Sequence, residues 1–150
     1  MAYWYQTDQD LYAFERECYR TFAKNYNHPN CKVQFDFDKK KRFVVLLDLP
    51  FKPDPNEPWR MFKFLIVYEH DHPKRGSDGL FGGSIKIYPL TKLKPGFHHL
   101  IYDSAMGLPY ICQTRTSEQS KVNGYYAMRR LLRWIRVYCV WERTGKDLDR

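Results

Sequence analysis

Apolar residues recur at helical spacing near the start of the chain. Leu11, Phe14, Cys18 and Phe22 follow at intervals of three, four and four, which places them on one face of an amphipathic helix. Thr7 and Asp8 offer N-caps, and the helix is expected to end near Asn25. "NYNHPNC" (Asn25 to Cys31) then reads as a turn. From there the period shortens to two. In "KVQFDFD" Val33, Phe35 and Phe37 alternate with Gln34, Asp36 and Asp38, the pattern of a half-buried strand. "DKKK" is a polar turn, and "RFVVLLDLP" predicts a second, more buried strand. "PFKPDPNEP" holds four prolines in nine residues and suits neither helix nor central strand. "WRMFKFLIVYEH" predicts a third strand, with Phe62, Phe64, Ile66 and Tyr68 alternating. "DHPKRGSDGLFGG" reads as a loop and "SIKIYPL" as a fourth strand stopped by Pro89. Periodicity disappears from Thr91 to Ser120. It returns as a helix from Tyr125 to Glu142, where Ala127, Leu131, Trp134, Tyr138 and Trp141 form an apolar stripe flanked by Met128 and Ile135. Thr144-Gly145 is its expected stop.

The order is therefore a helix, four sequential strands, a long irregular loop and a helix. Sequential strands joined by short connections favour an antiparallel meander. Helices flanking such a sheet give an α+β layer, expected here as one domain over residues 1–150. Hydrophobic residues are 43% of the chain and aromatics 17%, which supplies a core and argues against disorder. The longest apolar run, Phe43 to Leu47, is five residues, far short of the roughly 18 that a membrane span needs, so no membrane partner is expected. "MAYWYQTDQD" lacks the basic and apolar regions of a secretory leader. The four cysteines, Cys18, Cys31, Cys112 and Cys139, form no CxxC pair and match no zinc spacing. No metal or other cofactor is expected, and a reducing cytoplasm is the expected compartment, without disulfides. A net charge of +8 suits an acidic partner or nucleic acid and does not choose between them.

A compact domain rarely carries a structureless stretch as long as 91–120 without a functional reason. That stretch contains His98, His99, Tyr102, Asp103, Gly107, Pro109 and a lone cysteine, Cys112, in "GLPYICQT". Cys112 is either a small buried hydrophobe beside Ile111 or a nucleophile.

A helix, a four-stranded meander ending near "YP", a loop with a lone cysteine and a closing helix together resemble the ubiquitin-conjugating-enzyme fold. "RWIRVYCVWERTG" (Arg133 to Gly145) resembles the closing segment of its prokaryotic ubiquitin-conjugating-enzyme-like family, with Trp134, Tyr138, Trp141, Thr144 and Gly145 filling the aromatic and Thr-Gly register. "GGSIKIYP" (Gly82 to Pro89) resembles the family's last strand. The resemblance implies that Cys112 carries a protein's C-terminus as a thioester and hands it to a lysine or other amine. It implies a cargo that is either a ubiquitin-like protein or a nucleotidyltransferase resembling cGAS, as in bacterial anti-phage (CBASS-type) systems. The chain has no nucleotide-binding glycine loop, so a conjugating role implies either a separate activating enzyme or a cargo that arrives by another route. Eukaryotic relatives carry His-Pro-Asn upstream of the cysteine. Here His28-Pro29-Asn30 precedes Cys31 and reads as a turn, whereas Tyr102 stands upstream of Cys112.

Thioester exchange requires a group that is both nucleophile and leaving group, and cysteine offers both. Gly107 and Pro109 are expected to shape the loop so that backbone N–H groups face the tetrahedral oxyanion. His99 is the candidate proton acceptor beside Cys112, with His98, Tyr102 and Asp103 as supporting candidates. Arg129, Arg130, Arg133 and Arg136 share a broad helix face; Arg129, Arg133 and Arg136 are the candidate partner-binding residues. Cys18 and Cys139 are expected in the core, and Cys31 at a strand start. Three rival readings remain: an inactive scaffold, a basic nucleic-acid-binding module, and a hydrolytic cysteine peptidase. Nucleic acid is the less favoured partner, because no recognised binding motif is present and the aromatics fall on expected core faces. A peptidase would need a base and an orienting residue around Cys112.

Overall fold

The Asp8 carboxylate accepts the Leu11 N–H at 3.0 Å and starts the main N-terminal helix. The computed structural model describes residues 2–73, 84–112 and 122–149. A single turn, α1 (Trp4–Thr7), precedes this helix, α2 (Gln9–Tyr26), which ends at Asn27 in the left-handed conformation. The meander follows as β1 (Lys32–Phe37), β2 (Phe43–Phe51), β3 (Arg60–Tyr68) and β4 (Ile85–Pro89). Their spatial order is β1-β2-β3-β4, every pair antiparallel. The chain closes with β5 (Leu100–Asp103), β6 (Leu108–Ile111) and α3 (Gly124–Thr144).

The expected α+β arrangement is thus present, with helices at both ends of a four-stranded antiparallel sheet. One face of that sheet carries Phe43, Val45, Leu47, Phe62, Phe64 and Ile66 into a core shared with Cys18, Tyr19, Leu131, Trp134 and Tyr138 of the two long helices. The alternation of β3 accounts for this: Phe62, Phe64, Ile66 and Tyr68 are all essentially inaccessible. The stripe expected on α3 packs against them, its stop is Gly145 at φ 77°, and the Gly145 N–H donates to the Trp141 carbonyl. Val44, Val67 and Tyr88 point to the opposite sheet face and are covered by Tyr110 of β6.

Three expectations change. The aperiodic stretch 91–120 is not simply a loop: β5 and β6 form a two-stranded antiparallel sheet inside it. Strands of four residues are too short to show a period, and Pro109 interrupts the pattern further. The buried face of α2 is centred on Glu15, Cys18 and Tyr19, whereas Phe14 is 42% exposed with its ring against Tyr125. The third strand begins at Arg60, leaving Trp59 exposed against His28. The Gly82-Gly83 pair, most of the "DHPKRGSDGLFGG" loop and the segment 113–121 lie outside the described residues.

Candidate functional site

Leu100 pairs with Ile111 in the β5–β6 ribbon, and the next residue on each side continues the ladder. The Cys112 N–H donates to the His99 carbonyl at 3.1 Å. Directly opposite residues in an antiparallel pair have side chains on the same side, so this register sets Cys112 beside His99. Both line a small cleft with Arg130, Arg133, Trp134 and Val137 of α3 and Asp149 of the C-terminal tail. Its enclosed volume is about 20 Å³, room for little more than one water molecule or one oxygen of a substrate.

The imidazole of His99 is fixed from behind. Its Nε2 lies 2.7 Å from Asp147 Oδ2, and His98 Nε2 reaches the same oxygen at 2.9 Å. Side-chain exposure falls from 44% at His98 to 22% at His99 and 6% at Asp147, so the carboxylate is the innermost of the three. Burial pushes the Asp147 carboxyl up, but the Asp149 N–H and the two imidazoles outweigh it and hold Asp147 below its ordinary value. The backbone of His99 is held as well, since its carbonyl also accepts the Trp134 indole N–H at 2.9 Å. The Phe97 ring packs 5.3 Å from His99. Gly145 ends α3 in a left-handed turn, and the tail after it carries Asp147 to the histidines.

Of the residues singled out from sequence, Cys112, His99, His98 and Arg133 converge here. Arg133 grips Asp149 with its Nη2 at 2.5 Å, which leaves its charge at the rim of the cleft. Arg129 and Arg136 are exposed on the same helix, four residues before and three after Arg133. Tyr102 is 68% exposed on β5. Asp103 serves the hairpin: it accepts the Tyr88 hydroxyl at 2.7 Å and the Ala105 N–H at 3.0 Å. Burial pushes the Asp103 carboxyl up, but these bonds reverse that and hold it low. Gly107 stands at φ 68° in the turn at the other end of β6, and its N–H donates to the Asp103 carbonyl at 2.8 Å. The expected oxyanion role for that N–H therefore has no geometric support. The charged groups Arg130, Arg133 and Asp149 line the Cys112 cleft instead.

The other cysteines are structural. Cys18, Cys31 and Cys139 are buried, whereas Cys112 is partly exposed. Burial raises the Cys18 thiol to about 12, with Glu15 adding to the rise. Burial likewise raises Cys31 and Cys139, each to about 11. His28-Pro29-Asn30 is a turn: His28 Nδ1 accepts the Asn30 N–H at 3.1 Å and its carbonyl accepts the Cys31 N–H at 3.0 Å. A larger cleft, about 520 Å³, runs over β1 to β3 between Lys32, Gln34, Asp48 and Lys63. No cysteine or histidine lines it, so it carries no candidate nucleophile.

Asp147 and Arg130 complete the site and were not singled out as site residues. One signal was present for Asp147. Anions are disfavoured just past a helix C-terminus, yet "TGKDLDR" puts two aspartates there, so they require cationic or donor partners from elsewhere. Among the described residues no helix is long and apolar enough to cross a membrane. Comparison of the chain with protein-family models, with curated proteins and with solved structures finds no match.

Proposed function

We propose that this chain is a cysteine acyl carrier of the ubiquitin-conjugating-enzyme-like kind, with Cys112 as the nucleophile. The observation that carries the reading is the cross-strand placement of Cys112 beside a histidine whose Nε2 is engaged by an inner carboxylate. With Nε2 on Asp147, Nδ1 is the ring nitrogen left to accept the thiol proton. The Cys112 sulfur attacks the activated carbonyl at the C-terminus of a cargo protein. A carbon–sulfur bond forms, and the activating group leaves with the thiol proton, handed on by His99. An amine of the acceptor then attacks the thioester, His99 takes its proton, the carbon–sulfur bond breaks, and the Cys112 sulfur regains a proton from His99. Arg130 and Arg133 at the cleft favour the thiolate and the tetrahedral oxyanion by charge. Arg129, Arg133 and Arg136 present a basic face to an acidic cargo or acceptor. A ubiquitin-like protein and a cGAS-like nucleotidyltransferase C-terminus are the two cargo classes, with activation by a separate enzyme in bacterial anti-phage defence.

One observation favours a second reading, hydrolysis. Asp147 supplies the orienting group that a cysteine peptidase needs behind its histidine. The succession of helix, meander, ribbon and helix favours the carrier.

Intact mass spectrometry after co-expression with the genomic neighbours tests the proposal, run with and without reductant. A protein-sized adduct that reductant removes, that Cys112→Ala lacks and that Cys112→Lys makes reductant-resistant is the expected result. Turnover of a cargo C-terminus to the free acid, without any adduct or amine product, is the result of hydrolysis. No adduct and no cleavage with all neighbours folded leaves only a scaffold and ends the proposal.

A further inference from the structure

We propose that His98, His99 and Asp147 form a site for a zinc-type divalent cation, next to the cleft that holds Cys112. The ligand atoms of the first three lie within 4.8 Å of one another. Two imidazoles from consecutive residues converge on one carboxylate oxygen, at 2.7 and 2.9 Å, with the carboxylate almost inaccessible. Each imidazole now fills with a hydrogen bond the place that a cation fills between nitrogen and oxygen. Zinc sits about 2.0–2.2 Å from nitrogen and oxygen ligands, which separates them by roughly 3.3 Å at a tetrahedral angle. Opening the present contacts by about half an ångström reaches that spacing, and His98, nearly half exposed, is free to move outward.

The groups behind the ligands are already set, as metal sites require. Asp147 Oδ1 is held by the Asp149 N–H at 2.9 Å, which leaves Oδ2 turned to the histidines. The His99 carbonyl is held by the Cys112 N–H and the Trp134 indole, and Phe97 packs against both imidazoles. Cys112 lines a cleft with His99 but is not among the clustered ligand atoms, so water completes the tetrahedron. The Asp147 carboxylate offsets one of the two charges of the cation. Arg133, at the rim, is met by Asp149. On binding, each imidazole shifts its proton from Nε2 to Nδ1.

This site does not rest on acyl transfer, and its test contains no acyl donor, so either reading can fail alone. The full chain, reduced and stripped of metal, is titrated with Co²⁺ as the optical stand-in for zinc. Saturation at one equivalent is expected, with tetrahedral d–d bands that Cys112→Ser leaves in place. His98→Ala, at an exposed position, and Asp147→Asn are each expected to weaken binding by at least about tenfold. Two results overturn the site: no one-to-one saturation, or undiminished affinity in His98→Ala and Asp147→Asn with their circular dichroism intact.

Discussion

Cys112 differs from the other three cysteines in what surrounds it. A thiol raised to about 11 or 12 is ionised at neutral pH to one part in about ten thousand or less, and Cys18, Cys31 and Cys139 are also shielded by burial. Limiting iodoacetamide at pH 7 is therefore expected to modify Cys112 first by a wide margin, read as peptide masses. Equal modification of Cys31 or Cys139 would show that the folded chain exposes them. In the proposed mechanism Asp147 is a positioning residue: it touches His99 and lies behind it. Asp147→Asn is expected to lower single-turnover transfer from a peptide thioester by about 10²–10⁴-fold, the range typical of a lost base function. A merely structural role is separated by the double variant with His99→Ala, which should cost little more than His99→Ala alone. Additive losses, or an Asp147→Asn rate within about threefold of wild type, remove Asp147 from the chemistry. At this scale Cys112 and His99 are legible in the sequence, because both stand in the one stretch without a period. Asp147 is not, since 48 residues separate it from His99 and only the fold of the tail joins them.

The two long helices meet closely where α3 begins. Gly124 is the first residue of that helix, and a Cβ built on it would lie 2.7 Å from Cys18 Cβ and 3.1 Å from the Tyr19 ring of α2. Real Cβ atoms do not approach so closely, so glycine at this position sets the separation of the two long helices. Gly124→Ala is expected to cost about 1–3 kcal/mol of stability by overpacking, measured as the urea midpoint. The clash is with Cβ, so Cys18→Ala should not rescue the variant and Cys18→Gly should recover part of the loss. Rescue by Cys18→Ala would place the conflict at the sulfur instead. The long elements are the ones the sequence makes legible: a period of two in β1 and β3, an apolar run in β2, and a period near 3.6 in α2 and α3. The β5–β6 ribbon escapes, because its strands are four residues each and its turn is held by Asp103. "DSAMG", an aspartate four residues before a glycine at φ 68°, was the local turn signal available.

One polar network ties the whole molecule together at a point where an apolar face was expected. Glu15 is fully buried on α2. Its Oε1 accepts the Tyr68 hydroxyl of β3 at 2.6 Å and the Gly124 N–H at the start of α3 at 2.8 Å. Its Oε2 meets His72 Nε2 at 3.2 Å, and His72 Nδ1 reaches the Ser84 hydroxyl at 2.9 Å. Tyr19 extends the chain of contacts, its hydroxyl 2.7 Å from that of Tyr68. A single carboxyl thus serves both long helices, the third strand and the segments flanking the fourth. Such a role cannot be read from spacing: a lone glutamate among apolar positions of a helix looks like a solvent-facing residue until its partners, up to 109 positions away, are brought to it. Removing the carboxyl takes the acceptor from the Gly124 N–H inside the core and leaves Tyr68 and His72 only their contacts with Tyr19 and Ser84. Glu15→Ala is therefore expected to destabilise the fold by roughly 3–5 kcal/mol, the range found when one partner of a buried polar pair is deleted. For a chain of this length that corresponds to a melting point lower by about 6–20 °C. Glu15→Gln retains the shape and one carbonyl acceptor, and should lose clearly less. The control lies at the other end of the molecule: Arg143, exposed and paired with Glu57, should change stability by under about 1 kcal/mol on replacement by Ala. If Glu15→Ala melts as close to wild type as Arg143→Ala does, the network is not what holds α2 and α3 to the sheet. The apolar packing of Tyr19, Tyr68 and Trp134 must then hold them alone.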